Sequence, residues 1–154
     1  MVHFTRLASM GRRLVMVLFM AWVGALWAVG FVVVPRLFAA LPHAEAGRLA
    51  AGLFALVHGT ALLVLPLVPW LARGWLERCL VGLCWLEAAL SYWYLGPRIV
   101  NLALRGEHGL ALEHLHAMAT MAYGLGAVAA VVLAWRLTAQ YARGDRTAAN
   151  GACP

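Results

Sequence analysis

With 154 residues, 64% of them hydrophobic and only 12% charged, the chain is too apolar for an ordinary water-soluble domain. All 12 basic residues are arginines placed at the ends of apolar runs, so the formal charge of +6 argues for membrane anchoring rather than nucleic-acid binding. These features predict an all-α integral membrane four-helix bundle in which each helix crosses roughly 30 Å of hydrocarbon.

The predicted spans lie at about 14–34, 49–71, 79–95 and 111–135. A basic leader over 1–13 precedes the bundle of 14–136, and a polar tail over 137–154 follows it. Arg12 and Arg13 before an apolar run resemble a signal peptide, but the run of about 21 residues exceeds the roughly 7–15 of a signal core. The first span is therefore read as an uncleaved helix. Its Gly24 and Ala28 form a small-xxx-small pair suited to close helix approach. Val34-Pro35-Arg36 is expected to end it, because proline lacks the N–H that continues the ladder.

A short turn at Pro42-His43 leads into the second span, which carries His58 roughly 14 Å deep at 1.5 Å per residue. Pro66 and Pro69 close that span, with Trp70 and Trp75 at the interface. In the third span a helical period places Cys84, Glu87, Ser91 and Tyr94 on one polar stripe. Gly96-Pro97-Arg98 is expected to end it as Val34-Pro35-Arg36 ends the first. The recurrence suggests two repeated hairpins, each with a histidine in its returning helix, His58 and His116. In the fourth span Glu113, His116, Thr120 and Tyr123 form the corresponding stripe, and His114 points about 200° away from His116. The tail after Tyr141 reads as disordered.

Arg6, Arg12, Arg13, Arg73, Arg78, Arg136, Arg143 and Arg146 share one side, and Arg36, Arg48, Arg98 and Arg105 the other. The bias predicts a bacterial-type inner (plasma) membrane protein with both termini cytoplasmic. Cys79 and Cys84 are not spaced as C-x-x-C, and with Cys153 they read as unpaired thiols.

Ionisable groups inside a membrane need a partner, a water path or a function. His58, Glu87 and His116 come from three helices, so one site between the hairpins could gather them. Imidazole ligates haem iron and copper, which makes His58 and His116 candidate metal ligands, with Glu87, Arg98, Tyr94 and Tyr123 around a bound haem b. The alternative for each is a hydrogen bond that fixes helix register. Arg36 and Arg98 fit snorkelling anchors or an anion site, and Tyr92-Trp93-Tyr94 fits an interfacial belt. No phosphate loop, H-E-x-x-H pattern or placed nucleophile is present.

Trp22-Val23-Gly24, Pro35-Arg36-Leu37-Phe38, Ala46-Gly47 with Leu53-Phe54, Gly96-Pro97-Arg98-Ile99 and Leu115-His116 occur in order along residues 14–136. Together they resemble the membrane family called domain of unknown function 4149, or transmembrane protein 205-like. The resemblance implies a four-helix membrane protein without an agreed activity. After His116 the family tends to carry Ser and then Asn, where this chain has Ala119 or Thr120 and Tyr123. More distantly the layout is similar to the copper-resistance-D-like membrane proteins and the membrane protoporphyrinogen oxidases. Those oxidases are expected to hold a key His in the first helix, which here has none. The leading expectation is a non-enzymatic accessory, transport-related or structural membrane component; a b-type haem, porphyrin or copper binder is the alternative. Expected partners are the lipid bilayer and a homo-oligomer or larger membrane complex, with no nucleic acid.

Overall fold

The computed structural model describes residues 2–105 and 109–150, and side chains over 10–105, 109–110 and 112–143. The side chains of His3, Arg6, His108, Arg146 and Cys153 fall outside that range. The fold is all-α, and four helices are long and apolar enough to span a membrane: Met10–Ala40, His43–Trp70, Trp75–Leu104 and Leu112–Arg143. We number them one to four. Only 22–28% of each apolar window is buried within the chain, so most of the hydrophobic surface faces outward, as lipid requires.

All four helices meet in one core. Phe19, Trp22 and Leu26 from helix one meet Val57, Ala61 and Leu65 from helix two, Cys84 and Ala88 from helix three, and Ala127, Ala130 and Leu133 from helix four. In lipid there is little hydrophobic drive between helices, so close packing and hydrogen bonds hold them. Trp22 Nε1–H donates to the Val57 carbonyl at 3.0 Å, tying helix one to helix two. Trp27 Nε1–H donates to the Ala127 carbonyl at 3.4 Å, and Tyr123 returns the link by donating to the Leu26 carbonyl. Each such bond is worth about 0.6 kcal/mol.

Neither Pro35 nor Pro97 ends its helix. Helix one runs as α-helix over Val2–Ala28, opens into a π-turn at Val29–Val33, and resumes as α-helix over Val34–Ala40. Helix three repeats the device: α-helix at Trp75–Leu90, π-turn at Ser91–Leu95, α-helix at Gly96–Leu104. In both, the residue before proline donates its N–H five residues back, Val34 to Val29 and Gly96 to Ser91. The wider turn relieves the clash between the proline ring and the carbonyl four residues earlier, which would otherwise break the helix. Helix two does close on its prolines, through a 3₁₀ stretch at Leu65–Trp70. Helix four continues as α-helix to Asn150, so residues 142–150 are helical where composition suggests a disordered tail, whose last residues lie outside the described range.

Gly24 and Ala28 face outward, and nothing lies within 4 Å of a Cβ placed on Gly24. The close approaches use other glycines. A Cβ on Gly126 would stand 2.9 Å from Glu87 Oε2, and one on Gly30 would overlap the Tyr123 ring.

Candidate functional site

The first element of the site is the α-helical register of helix two, which turns Val57, His58 and Ala61 into the bundle. His58 is 5% exposed, and its Nδ1–H donates to the Phe54 carbonyl one turn back, at 2.8 Å. That carbonyl can only accept, so the bond fixes the proton on Nδ1 and directs Nε2 across to helix three. There Nε2 meets Oε1 of Glu87 at 3.2 Å. Glu87 is 9% exposed, and Ser91 Oγ–H donates to the same oxygen at 3.0 Å. Its other oxygen lies over Gly126 of helix four. The ring of Tyr123 closes one side, with centroids 5.9 Å from His58 and 5.1 Å from Phe54, both edge-on.

The donor arithmetic of this pair is definite. With Nδ1–H committed to Phe54, an Nε2···Oε1 hydrogen bond needs a proton between those two atoms. Drawn as neutral imidazole with carboxylic acid, or as imidazolium with carboxylate, the pair holds the same two protons. Either form spares the bilayer a net buried charge.

Of the residues singled out from sequence, the structure brings His58, Glu87 and Tyr123 together and leaves three apart. Tyr94 is 45% exposed, because the π-turn advances each residue by less than an α-helical step and the inward position passes to Leu95, 2% exposed. Arg98 lies over the Tyr94 ring at 4.7 Å, a cation–π contact on the exposed face. His116 is exposed, two turns or roughly 10 Å along helix four from Tyr123. Glu113, His114 and Thr120 are exposed with it, while Leu112, Leu115 and Ala119 turn toward the bundle. The stripe expected to run inward from Glu113 therefore reaches the interior only at Tyr123.

This arrangement does not fit a haem or copper held between His58 and His116. Both ring nitrogens of His58 are engaged, and His116 lies on another face and at another level. Among the described residues no three His, Cys, Asp or Glu side chains are grouped to hold a metal ion.

A second buried polar cluster lies at the start of helix three, outside the polar stripes read from sequence. Glu77 in the first turn of helix three is 1% exposed, and its Oε1 accepts from Arg136 Nε at 2.7 Å and Gln140 Nε2 at 3.0 Å. Oε2 lies against Gly74. The signal was present as one carboxylate between Arg73 and Arg78, with Arg136 closing the last apolar run.

Comparison with family models matches residues 17–108 to the domain of unknown function DUF4149. The chain belongs to this family. The match takes in His58, Glu87 and both proline-arginine pairs, whereas Tyr123, Gly126 and Arg136 lie beyond it. No curated protein and no solved structure gives a significant match.

Proposed function

We propose that this DUF4149 protein is a non-enzymatic membrane component of accessory or transport-related kind, and that its working part is the proton held between His58 and Glu87. The supporting observation is the pair of bonds at His58: Nδ1 is fixed by Phe54, and Nε2 faces Glu87. Losing the shared proton sets a carboxylate against an imidazole lone pair and drives helix two from helix three. The two residues belong to different hairpins, so proton loss changes how the hairpins seat. A component that senses or couples to protons needs this device and needs no chemistry on a substrate. The arginine bias fits the same reading, in a bacterial-type inner membrane with cytoplasmic termini and assembly into an oligomer or larger complex. The likeness to transmembrane protein 205-like proteins belongs to this reading too.

Infrared difference spectroscopy of the protein in lipid, between acid and alkaline pH, tests it. A carboxyl or carboxylate band that disappears in Glu87→Gln is the expected result. An unchanged difference spectrum in that variant would sink the proposal. A Soret band in purified protein that His58→Ala abolishes would restore the haem alternative.

A further inference from the structure

The Glu77 cluster does more than seal the bundle. Arg136 spends only its Nε on Glu77, and its two terminal amino groups make no hydrogen bond to a described residue. Its side chain is 42% exposed, while Glu77 beneath it is 1% exposed. The guanidinium is thus held at Nε by a buried carboxylate, which leaves its two terminal amino groups as a planar fork suited to two oxygens of a phosphate. Arg78 adjoins Glu77, Arg73 adjoins Gly74, and both are exposed. Three guanidinium groups against one carboxylate leave the patch positive. Trp70, Trp75 and Trp135 are exposed at 77%, 77% and 76%, on the same end of the bundle. Exposed tryptophans mark headgroup level, so the fork stands where lipid phosphates lie.

We propose that Arg136, held by Glu77 and flanked by Arg73 and Arg78, binds the phosphate of an anionic phospholipid in the leaflet on the side of the chain termini. The lipid source is favoured over a soluble anion because the charge complementarity is set among exposed tryptophans. The site is separate from the His58–Glu87 pair, so either can fail alone.

Native mass spectrometry of the full chain, released from micelles with phosphatidylglycerol or phosphatidylcholine, reads the effect. The wild type is expected to retain phosphatidylglycerol about tenfold better than Arg136→Lys, equivalent to about 1.4 kcal/mol. Lysine keeps the pairing charge for Glu77 but loses the fork, so folding survives. The Arg73→Gln/Arg78→Gln double variant, which leaves the Glu77 cluster intact, should lose a similar factor. Equal retention of phosphatidylglycerol by the wild type and both variants would overturn the site. Equal retention of phosphatidylcholine, or retention of inorganic phosphate by the wild type to the same extent, would overturn the anionic lipid as occupant.

Discussion

At the scale of single residues, the decisive quantity is the cost of a polar group left without its partner in the membrane core. His58→Ala would leave Glu87 with Ser91 as its only side-chain partner among the described residues, and Glu87→Ala would strip His58 Nε2 of its hydrogen-bond partner. Each truncation should destabilise by about 3–5 kcal/mol, the usual effect of breaking a buried pair. Replacing both at once, as His58→Leu with Glu87→Met, should be close to neutral, since an apolar pair of similar volume removes the desolvation cost as well as the attraction. Denaturant unfolding in mixed micelles reads both. Gly126→Ala belongs to the same scale: its Cβ would press on Glu87 at 2.9–3.0 Å and is expected to cost about 1–3 kcal/mol. An unchanged unfolding midpoint in Gly126→Ala would show that Glu87 moves aside freely.

At the scale of elements, the two π-turns decide which side chains look inward. Pro97→Ala supplies an N–H and removes the ring, so the ladder can close as plain α-helix and Tyr94 should swing toward the bundle. A cysteine at position 94 is expected to react with a lipid-phase thiol reagent in the native background and to be protected with Pro97→Ala. Equal reactivity in the two backgrounds would show that the turn does not depend on its proline. This is also where the sequence was hardest to read. A strict 3.6-residue period sent Tyr94 inward because nothing in the pattern announces an inserted residue. Proline marks the place, but a helix that ends there and one that widens before it carry the same residues. His116 lies outside for a different reason. Polarity does not set the inward face of helix four, where burial follows Leu112, Leu115 and Ala119. His58 and Glu87 were legible because an intramembrane imidazole and carboxylate are expensive enough to require each other.

For the whole molecule, four spans were readable from length and composition alone, and an even number returns the chain to the side it left. Cysteines introduced near Arg12 and Arg143 should therefore react with an impermeant reagent from the same side of sealed vesicles. Labelling from opposite sides would mean that the chain crosses the membrane an odd number of times. The termini end of the bundle is closed by Glu77, Arg136 and Gln140 between helices three and four. At mid-depth His58 and Glu87 join one hairpin to the other. This pair acts as a unit across the hairpins. A double-mutant cycle of His58→Ala and Glu87→Ala, unfolded in lipid, tests it most directly. The expected coupling is at least about 1 kcal/mol, with the double variant more stable than the summed single losses imply. Additivity within about 0.5 kcal/mol would contradict it.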